Sequence, residues 1–226
     1  MGKIIVIEGT DSSGKQTQTE ILFEKLKNKS LNVRKLSFPN YESPACEPVK
    51  MYLAGEFGKD PKVINPYPIS TMYAIDRYAS YKKDWEFFYN NNGIIVTDRY
   101  TTSNMIHQAS KIDDEKAKSE YLNWLEDLEY NKMDIPRPDI VIFLNMPPES
   151  ALKLMEGRKN KITNETKKDI HESDNEYLKK SYYNACEIAK ISGWKEISCA
   201  QGEKIKNIDE ISSDIYNLLV NEGIIK

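Results

Sequence analysis

Apolar positions along this chain follow two alternating rhythms. A short β-branched run occupies Lys3–Glu8 and ends at Gly9, and further strand-like segments occupy Val33–Phe38, Ile94–Thr97, Ile140–Asn145 and Trp194–Ser198. The continuous run Lys3–Glu8 predicts a strand buried on both faces, and the other four segments are strand candidates. Between them the apolar residues spread to a spacing of three and four. That spacing predicts helices from Thr17 to Lys27, around Ser70–Tyr89, Ala117–Tyr130 and Pro148–Arg158, then over Asp174–Lys190 and Ile208–Asn221. In the third of these, Tyr121, Leu122, Leu125 and Leu128 share one face; in the last, Ile211, Ile215 and Leu218 or Leu219 form the stripe. Strands alternating with helices predict an α/β fold: three layers, with a five-stranded parallel sheet covered on both sides. No internal repeat and no long Gly/Ser or Pro linker divides the chain, so residues 1–226 read as one domain.

Composition narrows the class. The 226 residues carry 32 Lys+Arg against 35 Asp+Glu, a net charge of −3, which removes the general electrostatic case for nucleic-acid binding. Hydrophobic residues at 39% argue against disorder. Cys46, Cys186 and Cys199 lie far apart without CxxC spacing, which fits a reducing compartment better than a disulfide framework or a zinc site. His107 and His171 have no His or Cys neighbour in sequence, so a transition-metal centre is not expected. The N-terminus opens straight into a short apolar strand, with neither a signal peptide nor a membrane span. The expectation is a soluble, cytoplasmic protein.

The first strand runs into Gly9-Thr10-Asp11-Ser12-Ser13-Gly14-Lys15, a G-x-x-x-x-G-K turn between strand and helix. Glycines let the backbone wind around phosphate oxygens, the helix N-terminus adds its positive end, and Lys15 adds a point charge near the β- and γ-phosphates. The strict pattern continues with Ser or Thr, whose hydroxyl binds Mg²⁺, and here Gln16 follows. Thr17 is one residue on and rotated about 100° around the helix, so it does not simply replace that hydroxyl. Either phosphates, water and another carboxylate hold the metal, or Gln16 lends its amide oxygen.

Further candidates sit at strand ends and on helix faces. Asp98 and Arg99 follow the third strand, at the carboxyl edge where open α/β sheets bind ligands, and arginine there can grip a monophosphate bidentately. Asp98 either holds a Mg²⁺ water shell or orients Arg99. Tyr73 and Arg77 lie one helical turn apart, as do Asn104 and Gln108. By spacing alone they read equally as base-binding groups or as core and surface residues. Arg158, with Lys159 and Lys161, begins a polar segment over about 157–175 that reads either as a solvated loop or as a lid. Arg158 itself is either a phosphate-closing cation or a helix C-terminal charge suited to the dipole.

Taken in order, these motifs resemble the thymidylate kinase family over nearly the whole chain. The P-loop Gly9–Lys15 carries an acid at Asp11, Phe38-Pro39 follows the second strand, and Tyr73-x-x-x-Arg77 matches an aromatic-x-x-x-Arg motif. Asp98-Arg99-Tyr100 matches DRY, and Ser103-Asn104, Gln108 and the basic stretch after Arg158 complete the series. Two departures stand out: Gln16 replaces the usual Ser or Thr, and Asn40-Tyr41 stands where many members place an arginine.

The resemblance implies a P-loop nucleoside monophosphate kinase fold with a helical lid, ATP as phosphoryl donor, Mg²⁺ as cofactor, dTMP as acceptor, and a homodimer. It implies that Gly9 through Thr17 hold ATP, with Phe38 beside the substrate and Tyr73 stacked on thymine. Arg77, Asn104 and Gln108 then bond the base edge, and Asp11 and Arg99 orient sugar and phosphate. Lys15, Asp98, Arg99 and Arg158 are the expected catalytic set. Two rivals remain at this stage: a deoxynucleoside kinase using Glu8 as its base, and a P-loop protein that binds nucleotide without turnover.

Overall fold

The computed structural model describes residues 1–155, 175–202 and 204–225. Five parallel strands form the sheet: β1 (Lys3–Glu8), β2 (Val33–Ser37), β3 (Ile94–Asp98), β4 (Ile140–Asn145) and β5 (Lys195–Ser198), in the order β2-β3-β1-β4-β5. All five lie where the sequence predicts strands, and the two edge strands β2 and β5 are mostly exposed. β1 is central, with Ile7 opposite Asp98 on β3 and Glu8 opposite Phe143 on β4. The order reverses direction about β1, so the crevice at its carboxyl end is where an open sheet of this kind takes its ligand.

Alternation along β1 feeds two cores. Ile5 and Ile7 pack with Leu22 and Leu26 of helix α1 (Lys15–Asn28) and with Ile211, Ile215 and Leu219 of helix α9 (Ile208–Asn221). Ile4 and Val6 face the opposite side, against Tyr81, Trp85 and Tyr89. Those aromatics extend helix α3 (Pro66–Ser80) through a π-helical turn, Tyr81–Trp85, into α4 (Glu86–Asn90). The single helix expected over Ser70–Tyr89 thus starts earlier and changes its winding midway. Asn65 caps its start by accepting from the Tyr67 amide, and prolines at the first turn set its φ without needing a donor.

Two short helices escaped the periodicity, α2 (Glu47–Leu53) and α5 (Thr102–His107), both too brief for a repeat to develop. Helix α6 (Glu115–Glu126) also passes into a π turn, Asp127–Lys132. Tyr121 and Leu125 are buried as expected, but the next buried position is Glu129 rather than Leu128. The wider i→i+5 winding brings the residue four ahead over Leu125 and swings the third away. Helices α7 (Pro148–Met155) and α8 (Asn175–Ile191) match their expected positions within the described residues. A two-stranded hairpin, β6 (Ala200–Gln201) with β7 (Lys204–Ile205), leads into α9. Its strands are too short to register as a pattern. The basic residues Arg158, Lys159 and Lys161, with His171 and nearly all of the 157–175 segment, lie outside the described residues.

Candidate active site

The turn after β1 is shaped by what cannot fit there. A side chain at Gly9 would place its Cβ 2.6 Å from Ser13 Oγ and 3.0 Å from the Leu144 carbonyl oxygen, so only glycine passes. Gly14 is the N-cap of α1 in the left-handed region (φ 89°), a conformation that costs a glycine little. Ser12 also adopts positive φ, and such winding turns successive N–H groups inward. The result is a cradle at the positive end of a 14-residue helix.

Residues Asp11–Gln18 line a cleft of about 710 Å³, together with Asp98, Arg99 and the hairpin-to-α9 segment Ile205–Asp209. Gln16 and Thr17 are both exposed on this cleft. Buried Gln18 donates from Nε2 to the Ile208 carbonyl at 3.0 Å, which ties α1 to the far wall.

Lys15 differs from a solvated loop lysine. It is only 6% exposed, lies on the first turn of α1, and donates from Nζ to the Thr10 carbonyl at 2.7 Å. Burial, reinforced by repulsion from Arg99, brings its pKa down to about 8; Asp11, Asp98 and Glu8 offset part of that fall.

Arg99 organises the end of β3 beside the P-loop. Its backbone is left-handed (φ 69°), and Thr97 Oγ1 donates to its carbonyl at 2.8 Å. From there Nη2 donates to Asp11 of the P-loop, and Nη1 donates to His107 Nε2 at 2.8 Å. An arginine has donors only, so His107 Nε2 accepts with its lone pair, and the imidazole is neutral at that nitrogen. Burial works against the Arg99 charge, but Asp11, Glu8 and Asp98 outweigh it and hold the guanidinium pKa above its ordinary value.

Glu8 lies fully buried beneath this cluster. It accepts from Gly9 N (3.1 Å), Thr102 Oγ1 (2.7 Å) and Ser103 Oγ (2.9 Å), so the carboxylate pins the start of α5 to the P-loop. Burial raises its pKa, and Arg99, Lys15 and the two hydroxyls pull it partly back. Asp98 is also buried, and its Oδ1 accepts no hydrogen bond among the described residues.

The base-binding candidates cluster between α3 and α5. Asn104 is buried and its Nδ2 donates to the Ser70 carbonyl at 3.4 Å, one turn before Tyr73 on α3. Gln108 is buried, and its Oε1 finds no hydrogen-bond partner among the described residues. Tyr73 is half-buried against the cluster built on Cys46, Val49 and Tyr52. Phe38 packs against Tyr100, ring centroids 6.1 Å apart. Arg77 is not a solvated arginine: it is 2% exposed and pairs bidentately with Glu129, at 2.6 Å from Nε and 2.5 Å from Nη2. Asn40, standing where an arginine is common, donates its backbone N–H to buried Asp76 Oδ2 at 2.8 Å.

Sequence reasoning missed His107 and Glu129. A lone histidine and one acid in an acid-rich helix carry no local signal, and only the fold brings them to their arginines.

Comparison with known proteins agrees with this geometry. The family model for thymidylate kinase matches residues 7–208. Among similar proteins, the thymidylate kinase of Mycobacterium tuberculosis is 28% identical over 192 residues, covering 84% of this chain and 87% of that one. The thymidylate kinase of Prochlorococcus marinus is 28% identical over 222 residues, covering 97% and 96%. The solved structure of thymidylate kinase from Candida albicans superposes with a TM-score of 0.74 at 20% identity, covering 98% of this chain and 92% of that one, which supports the fold. With the family model spanning all but the chain's two ends, and the P-loop, the DRY residues and the helix bearing Tyr73 and Arg77 meeting at one sheet edge, the chain belongs to the thymidylate kinase family, enzymes that phosphorylate dTMP.

Proposed function

We infer that the chain transfers the γ-phosphoryl group of ATP to the 5′-phosphate of dTMP, giving ADP and dTDP. The observation that carries the reading is the Asp11–Arg99 contact, which joins the donor-side P-loop directly to the acceptor-side strand end. An oxygen of the acceptor phosphate attacks the γ-phosphorus in line, and ADP departs. Such a transfer asks for positioning and charge neutralisation rather than for a protein base. Residues Gly9–Thr17 cradle the donor phosphates, with Thr10, Ser12 and Ser13 supplying backbone N–H groups and Lys15 the mobile charge. Arg99 grips the acceptor phosphate, while Asp11 orients Arg99 and the sugar. Tyr73 stacks on the base, beside Phe38, and Arg77, Asn104 and Gln108 read its edge. Arg158 is the proposed lid cation.

Mg²⁺ suits the donor set. Among the described residues no group of three His, Cys, Asp or Glu could cage an ion, and Mg²⁺ in kinases relies on phosphate oxygens plus one or two carboxylates. Asp98, with a buried oxygen that accepts no hydrogen bond among the described residues, would hold the ion or its water, and Gln16 and Thr17 line the same cleft. When bound, the ion neutralises charge developing on the transferred phosphoryl group.

A deoxynucleoside kinase would need Glu8 to take a hydroxyl proton, within about 2.6–3.2 Å of it. Both Glu8 oxygens are instead engaged by Gly9, Thr102 and Ser103, and the side chain is fully buried. That favours the monophosphate reading.

The homodimer implied by the family fits the outer side of α3, where Ile75 and Tyr78 are exposed. A cytoplasmic location fits three free cysteines, and no described helix is long and apolar enough to cross a membrane.

The test is ADP release dependent on the acceptor. The expected order is dTMP first, dUMP appreciably slower, dCMP nearly inert. One methyl in an apolar pocket is worth roughly 1–3 kcal/mol, whereas a donor facing a donor rejects by up to about 10⁴–10⁵. Equal use of dCMP and dTMP would overturn the base assignment, and thymidine outpacing dTMP would overturn the acceptor class.

A further inference from the structure

The apolar stripe of α6 ends on a charge. Glu129 follows Tyr121 and Leu125 on the same line and is fully buried, as they are. Both its oxygens are taken by Arg77, and Thr101 Oγ1 adds a third donor to Oε2 at 2.9 Å. A buried ion pair gives a fold little that an apolar pair of equal volume would not, so its presence calls for another reason. Both helices loosen into π winding beside it. Tyr81–Trp85 begins one turn after Arg77, and Asp127–Lys132 contains Glu129 itself. Single π turns inside α-helices occur mostly at functional positions.

Charge counting suggests the reason. An unpaired arginine in this place would be a buried cation, whose preferred ligand is a phosphate or carboxylate. Paired with Glu129 it is neutral overall. Its plane is fixed by two parallel hydrogen bonds, and Nη1 is the one nitrogen without a hydrogen bond among the described residues. Thr101, two residues beyond Arg99, fastens this assembly to the strand end that holds the acceptor phosphate.

We propose that Glu129 is the positioning residue that makes Arg77 a reader of a neutral pyrimidine edge instead of an anion site. It cancels the guanidinium charge, locks its plane and leaves Nη1 to donate to the 4-keto oxygen. The inference rests on the placement of Arg77 at the base proposed above.

The experiment compares Glu129→Gln, Arg77→Met and the double variant Arg77→Met/Glu129→Leu. For each, kcat and KM are measured for dTMP, dCMP and ATP, with inhibition by inorganic phosphate against dTMP at saturating ATP. Glu129→Gln should raise the KM for dTMP about tenfold or more, lower the dTMP-to-dCMP ratio by a similar factor, and leave the KM for ATP within about twofold. Phosphate should inhibit it at about tenfold lower concentration, a change that lost packing alone would not produce. The double variant, which replaces the charged pair with apolar side chains and leaves Thr101 Oγ1 without its acceptor, should melt close to the wild-type temperature and lose base discrimination without gaining phosphate sensitivity.

If Glu129→Gln does not fold, Glu129→Asp decides. It keeps the charge and retracts the carboxylate, so discrimination should fall while phosphate inhibition stays put. Wild-type discrimination and phosphate inhibition in Glu129→Gln, alongside an impaired Arg77→Met, overturn the role of Glu129 and leave the base site standing. Likewise, wild-type discrimination in Glu129→Asp overturns that role. An Arg77→Met enzyme with unchanged base preference overturns the base site and the inference together.

Discussion

The buried lysine of the P-loop makes the pH dependence of ATP capture a direct test of the donor site. Lys15 falls from an ordinary 10.5 to about 8, because burial and Arg99 both disfavour its charge. At about 1.4 kcal/mol per pH unit, that is about 3 kcal/mol against the charged form. Donor phosphates arriving within reach of Nζ oppose this and restore the charge. Kinetics separates the two situations, since kcat/KM reports the pKa values of the uncomplexed enzyme and kcat those of the bound complex.

With a pKa of about 8, about nine-tenths of the lysine is charged at pH 7 and about one-tenth at pH 9. The kcat/KM for ATP at saturating dTMP should therefore fall about tenfold between those pH values, while kcat holds nearly level. Stability should move oppositely. The native state releases this proton before the unfolded chain does, so between about pH 8 and 10.5 the unfolded state binds more protons and stability rises with pH. The gain totals at most about 3 kcal/mol, fully present only above 10.5 and absent below 8. Lys15→Met should abolish ATP turnover and remove this alkaline rise, measured by urea unfolding at pH 7 and pH 10. A kcat/KM for ATP that stays flat to pH 10, or a Lys15→Met protein with the same alkaline rise as wild type, would refute the reasoning.

Gln16→Thr restores the hydroxyl of the strict P-loop pattern at an exposed position, so Mg²⁺-dependent turnover should be no worse; a large loss would give the amide its own role. Asp98→Asn keeps the shape but removes the charge, and kcat should fall about 10²–10³-fold with a steeper Mg²⁺ requirement in a metal titration. Near-normal kcat would remove Asp98 from the catalytic set. Gly9→Ala drives a Cβ to 2.6 Å from Ser13 Oγ and should cost about 1–3 kcal/mol in unfolding experiments, with weakened nucleotide binding by calorimetry. Unchanged stability would mean that the turn opens more readily than its packing suggests.

The parts of this protein that are legible in the sequence are those governed by local rules. The inner strands β1, β3 and β4 are buried on both faces, so their apolar runs are nearly unbroken and read directly, whereas the edge strands β2 and β5 are largely exposed and carry mixed sequences. The P-loop is equally visible because the phosphate cradle demands glycine where a Cβ would collide. Short elements without a repeat, such as Glu47–Leu53 and the Ala200–Ile205 hairpin, leave no such mark. Leu128 is the instructive case. An uninterrupted α-helix would put it on the core stripe, but the π turn gives that place to Glu129, and hydrophobic periodicity cannot register a change of winding that serves an ion pair.

The same limit applies to the cations. Read in sequence, Lys15, Arg77 and Arg99 are three positive groups offered to phosphates and a base. In the fold each already has a partner: the Thr10 carbonyl for Lys15, Glu129 for Arg77, and Asp11 with His107 for Arg99. Those partners lie five, 52, 88 and eight residues away in the chain, so only the first and last are within local reach of a motif. The consequence is energetic. What a substrate gains from each cation is the difference between its own contact and the one it displaces or shares, not the full strength of a charged hydrogen bond. Where the existing partner can be displaced, as the Thr10 carbonyl can, the cation follows the phosphates. Where it is a buried carboxylate held by three donors, as Glu129 is, the cation stays, and on the proposed reading the substrate would have to present the group that fits what remains. On the proposed reading, Arg77 would therefore select by geometry, while Lys15 would respond to charge.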